Sequence, residues 1–166
     1  MKKTFVLAAF AALTLAGSAF AQDAVPAGEK PVDPYKQSNA NAGATPITDP
    51  SVWKAFHGKE GVDRIVETMV ERNFADPRIK DFFAAADKVR LKRTLKEQFC
   101  YILGGGCDYT GKDMRESHKD QGTTNRDMNA LIENLQFSMD KEGVPFAAQN
   151  KLLAKLAPQQ KDIVEK

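Results

Sequence analysis

The sequence predicts an all-α domain, and three observations carry that expectation. No stretch alternates apolar and polar residues for long enough to make a strand. Several stretches instead repeat apolar residues at spacings of three and four, which puts one buried stripe along a helix. Residues that start and stop helices separate these stretches: Asp, Thr or Asp-Pro in front, Gly or Asp-Pro behind. Such elements bury their stripes by packing helix on helix.

Met1 to Ala21 reads as a secretory signal peptide. Lys2 and Lys3 form its positive start, Phe5 to Ala16 its apolar middle, and Ala19-Phe20-Ala21 an A-x-A cleavage site. The alternative, an uncleaved anchor, fits less well because the apolar run is short for a membrane span. The expectation is an exported protein in a bacterial periplasm, with no span left after cleavage. Gln22 to Pro50 carries five prolines, an Asn-Ala-Asn-Ala-Gly run and Tyr35 as its one aromatic residue. So little apolar surface does not offset the entropy of ordering the chain, so residues 22–50 are expected to be a flexible linker. Residues 51–166 then form one small domain.

Asp49 caps and Pro50 opens the first helix, with Val52, Trp53 and Phe56 as its apolar face. His57-Gly58 stops it. Val62, Ile65, Val66, Met69, Val70 and Phe74 mark the second helix, which Asp76-Pro77 ends. Ile79, Phe82 and Phe83 make a brief helical turn. Asp87 caps a further helix, buried through Leu91, Leu95, Phe99 and Ile102, with Lys88, Arg90, Arg93 and Lys96 on its solvated side, until Gly104-Gly105-Gly106 ends it. Thr124 starts the next with Asp127 in a capping-box position, and its stripe is Met128, Leu131, Ile132, Leu135 and Met139. Gly143 ends it and Pro145 starts the last helix, which Pro158 is expected to kink.

The chain holds 24 basic and 22 acidic residues; the leader removes Lys2 and Lys3 and no acid, which leaves 22 of each. A neutral balance gives no reason to expect nucleic acid or an anionic membrane as the main partner. Chemistry concentrates after the glycine run. Met114 and His118 are four residues apart, so one helical turn sets a thioether beside an imidazole. His118 is one of two histidines, and a neutral imidazole is the commonest metal ligand and the usual proximal ligand of haem iron. A satisfied surface or core histidine is the competing reading. Cys100 and Cys107 are the only cysteines. An oxidising compartment and the glycines between them favour a disulfide, with two buried thiols as the alternative.

Taken together, these pieces resemble the group I truncated haemoglobins, short globins built as a two-over-two helical sandwich. The motifs that carry the resemblance run in register from Trp53 to Val164: His57-Gly58-Lys59-Glu60-Gly61, Ala75-Asp76-Pro77-Arg78, Phe82-Phe83, Leu103-Gly104-Gly105, Tyr109-Thr110-Gly111, the His118 segment, Gly143-Val144-Pro145 and Leu156-Ala157-Pro158. The resemblance implies haem b with His118 as proximal ligand to the iron, Phe83 flat on the porphyrin, Met114 on the proximal face, and Leu91, Leu95 and Met128 as further lining.

The chain also departs from the family's pattern. Val70 stands at the place of the usual distal tyrosine, Leu91 at the gate and Leu95 where a distal glutamine is common. Gln98 is then the nearest polar group of the distal pocket. Thr94 replaces a basic residue that often serves a haem propionate, so Arg90 or Arg93 would have to act instead. His57, at the first glycine of the usual Gly-Gly turn, is read as a surface residue. The implied function is reversible binding of O2, NO and CO at a His-ligated iron with a largely apolar distal pocket. One alternative is a haem enzyme for nitric oxide oxidation, nitrite reduction or peroxide reduction, served by an unidentified reductase. The other is a haem-free globin-fold sensor or interaction module.

Overall fold

The computed structural model describes residues 25–166, so the signal-peptide reading of Met1–Ala21 lies outside the described residues. Every regular element among the described residues is helical. Helix α1 is Pro50–Ala55, and the Asp49 carboxylate accepts from the Ser51 amide at its start. The turn into α2, Gly58–Ala75, is tight. His57 adopts a left-handed backbone at φ 59°, and a Cβ on Gly61 would lie 2.0 Å from the Phe56 carbonyl oxygen. Position 61 therefore admits glycine alone without a backbone shift.

Helix α3, Lys80–Phe83, is a single turn. Helix α4, Lys88–Ile102, starts at Asp87, whose carboxylate accepts from the Val89 and Arg90 amides. Helix α5, Met114–His118, is capped by Asp113, and α6, Asn125–Glu142, opens on the Thr124–Asp127 capping box and closes on Gly143 at φ 79°. Helix α7 is Phe146–Leu156, followed by a 3-10 turn at Ala157–Gln159 and by α8, Gln160–Ile163. Pro158 thus breaks the last helix where a kink was expected, because its ring removes the amide that would continue the ladder.

Helix α2 packs on α4 and on α6, and α6 packs on α7. The result is α2 with α4 over α6 with α7, a two-over-two sandwich. The periodic stripes meet in one core, where Phe56, Ile65, Met69, Ile102, Leu135 and Leu152 lose essentially all contact with solvent. Each such side chain contributes roughly 1.5–3 kcal/mol.

Residues 25–49 correct the expectation of a flexible linker, because they lie along the domain and bond to it. Asn39–Ala42 forms a 3-10 turn with Ala42 wholly buried. The Ile47 amide donates to the Ile102 carbonyl at 2.8 Å. Polar contacts to distant residues, together with Ala42, Ala44 and Ile47 packed at the core, hold the segment, and composition alone does not reveal them. Cys100 and Cys107 stand as a pair with Cα atoms 5.7 Å apart, disulfide geometry between the end of α4 and the chain that leads into α5.

Candidate functional site

His118 ends α5, a helix of five residues. So short a helix does not hold itself, and its neighbours supply the support. Asp113 accepts from the Glu116 amide at 2.8 Å, Arg115 pairs with Asp162 at 2.6 Å, and the Glu165 carboxylate accepts from the amides of Asp120 and Gly122 in the loop that follows. The C-terminal turn therefore grips the histidine helix from outside.

The imidazole is oriented from within. His118 Nδ1 lies 2.7 Å from the Met114 carbonyl oxygen. A carbonyl only accepts, so Nδ1 carries the proton and Nε2 keeps its lone pair free for a metal ion. A hydrogen bond on the far nitrogen is the usual way a protein fixes the tautomer and ring plane of a ligating histidine.

The residues that the resemblance assigns to the lining are half-buried: Phe83, Leu91, Leu95, Met114, His118 and Met128 each keep part of their surface accessible. Leu91 and Leu95 pack on the core cluster that contains Val70, which is fully buried. The Phe83 ring meets Phe74 with centroids 5.6 Å apart. A set of apolar side chains from α3, α4, α5 and α6 with one neutral nitrogen donor suits a large apolar disc that carries iron, so the donor set fits haem.

The model of the bacterial-like globins matches residues 51–165. The chain belongs to the bacterial-like globin family. This globin is similar to the group 1 truncated hemoglobin GlbN of Mycolicibacterium paratuberculosis, with 30% identity over 108 residues, 65% of this chain and 79% of that protein. It is similar also to the Synechocystis group 1 truncated hemoglobin GlbN, with 32% identity over 99 residues, 57% of this chain and 80% of that one. Among solved structures, the truncated hemoglobin of Tetrahymena pyriformis in its Fe(III) form superposes with a TM-score of 0.66 at 28% identity, covering 69% of this chain and 98% of that chain.

Polar residues near the site are engaged elsewhere in the fold. Gln98 is buried, and its amide nitrogen donates to the Ala42 carbonyl at 2.9 Å and to Gln159 Oε1 at 3.4 Å, beside Met114 Sδ at 3.6 Å. Both of its N–H groups are consumed by the residue 25–49 segment and the C-terminal turn. Arg90 and Arg93 are not free for a propionate either. Both pair with Glu29, and Arg93 also donates to Glu97 at 2.8 Å. Thr94 turns its hydroxyl back onto the Arg90 carbonyl at 3.0 Å. His57 is exposed, with Nδ1 2.9 Å from Glu142 Oε1, as expected of a surface residue.

Sequence reasoning missed Glu29, Tyr35, Asn39 and Ala42, which touch the site's supporting residues. No local pattern marks them, since their partners lie 56 to 75 positions away.

Proposed function

We propose that this globin binds haem b through His118 Nε2 and takes up diatomic gas on the face opposite the histidine. The observation that carries the proposal is the His118–Met114 hydrogen bond, which engages Nδ1 of a half-buried imidazole and leaves Nε2 free to bind iron. Ferrous haem supplies the affinity for O2, NO and CO; the chain supplies the proximal ligand, the apolar walls and the polarity of the gas-binding face. Val70, Leu91 and Leu95 offer no hydrogen-bond donor to that face, and Gln98 is committed elsewhere.

Oxygen gathers negative charge as it binds and gains most from a donor, whereas NO and CO gain less. The proposed role is therefore NO handling, ligand sensing or redox chemistry in preference to oxygen storage. An external reductase belongs to the same proposal, because the ferrous form needs an electron source. Export to the periplasm is proposed on the leader at Met1–Ala21 and on the Cys100–Cys107 pair.

Absorption spectra of the ferric, ferrous and ferrous-CO forms test the proposal in the wild type, His118→Ala and His57→Ala. The wild type and His57→Ala should share one Soret spectrum, and His118→Ala should lose or grossly alter it. An unchanged spectrum in His118→Ala would remove the ligand assignment.

A further inference from the structure

The proposed cleft has two walls, and the chain between Glu29 and Ala42 is bonded to both. On the α4 side, Glu29 pairs with Arg93 and with Arg90 at 3.1 Å. The Lys30 amide donates to Asp87 at 2.6 Å, and the Ala42 carbonyl accepts from Gln98. On the histidine side, the Tyr35 hydroxyl donates to the Thr110 carbonyl at 2.8 Å. Asn39 Oδ1 accepts from the Tyr109 amide at 2.7 Å, and Asn41 donates to the Gly111 carbonyl at 3.2 Å. Tyr109 to Gly111 leads into α5. Residues 29–42 thus join the helix of Leu91 and Leu95 to the segment that carries Met114 and His118.

The two ends of this segment are held differently. Ala42 is fully buried, and its carbonyl receives two side-chain amides, from Gln98 and Gln159. Between Lys30 and Asn41 every residue is exposed or half-buried, so little apolar area resists lifting. The far end is fastened by the Glu29 carboxylate on Arg90 and Arg93 and by the Lys30 backbone, which bonds to Asp87 and Arg90. The Glu29 side chain is only 1% exposed, and a buried carboxylate keeps its place only while its charge is paired. The hydrogen bond from Arg93 holds that carboxyl below the usual range.

We propose that residues 29–41 are a latch that retains the cofactor, hinged at Ala42 and closed by Glu29 on Arg90 and Arg93. The proposal rests on the haem reading above. Lifting the latch removes its share of the ties between α4 and Tyr109–Gly111 and leaves those that Glu97 and Arg93 make to Thr110, so that the two walls loosen and haem leaves faster. Glu29 then governs how long haem stays, while His118 governs how it is ligated.

Haem transfer from the ferric full-length protein to excess apomyoglobin measures the residence, and hydrogen exchange of residues 29–41 measures the latch. Three forms are compared: wild type, Glu29→Gln, and Asp33→Asn as an exposed control within the same segment. Glu29→Gln should lose haem roughly tenfold faster or more, exchange residues 29–41 faster, and keep the wild-type Soret and ferrous-CO spectra. Asp33→Asn should match the wild type. Haem loss from Glu29→Gln at the wild-type rate would overturn the latch, and so would unchanged exchange. A wild type that binds no haem sinks the haem reading and the latch's purpose together. In that case exchange in the haem-free protein still reports whether Glu29 fastens the segment, so the two failures are told apart.

Discussion

Gly61 and Gly106 separate two reasons for glycine. At Gly61 an added Cβ collides with the Phe56 carbonyl oxygen at 2.0 Å, whereas at Gly106 nothing lies within 4 Å and only the backbone angle, φ 76°, resists substitution. Gly61→Ala should therefore cost roughly 2 kcal/mol or more through a forced shift of the α1–α2 turn. Gly106→Ala should cost about 1 kcal/mol. Urea unfolding of both variants checks the order, and equal losses would mean that the turn yields more readily than its geometry implies. Val70 carries the functional prediction at this scale. A distal donor is worth roughly 1.5–3 kcal/mol to bound oxygen, about ten- to a hundredfold in dissociation rate. Oxygen should leave the wild type quickly and Val70→Tyr correspondingly more slowly by stopped flow, with CO less affected. Slow release from the wild type would count against an apolar gas-binding face. The pairing of His118 with Met114 on one helical turn was legible because it is local. The partners of Gln98 were not, since no spacing rule connects it to Ala42 and Gln159.

Helix ends were the best-read elements, for a physical reason: a cap is an interaction between residues two or three apart. Asp49, Asp87, the Thr124–Asp127 box and Gly143 all sit where the sequence placed them. Helix α5 has too few residues to show a periodicity and was visible only through Met114 and His118. The 3-10 turn at Asn39–Ala42 went unread despite its Ser38 cap and Gly43 stop, because four residues show no periodicity and its partners lie on α4 and at Gln159. A Cys100–Cys107 disulfide would fix the path from α4 toward α5. Thiol titration of the unreduced, unfolded protein should find no free thiol. The double variant Cys100→Ser, Cys107→Ser should lose roughly 2–3 kcal/mol of stability by the chain-entropy argument. Two free thiols in the wild type would end this reading.

Across the whole molecule, carboxylates are held in their charged form by basic partners. Hydrogen bonds from Arg64 bring Glu142 down to about 2. Arg78 holds Asp76 well below the usual range. Lys92 and Lys96 lower Glu67, and Lys88 and Lys92 lower Glu71. Each folded value lies below the unfolded one, so in the acid range the unfolded chain binds more protons. The stabilisation is fully present above the ordinary glutamate value of 4.5 and is lost as pH falls through the folded values toward 2. Unfolding free energy measured by urea titration at about pH 5, 4 and 3 should decline at each step. A level profile over that range would mean that these pairs do not survive in solution.

The buried carbonyl of Ala42 bears on where this protein begins as a physical object. The family model is matched from residue 51, yet a chain started there would take the Ala42 acceptor away from the Gln98 and Gln159 amides, and would leave Arg90 and Arg93 facing each other without Glu29. The family match marks one boundary and hydrogen bonding marks another, some twenty residues earlier. The unit that folds is longer than the stretch that the family model spans.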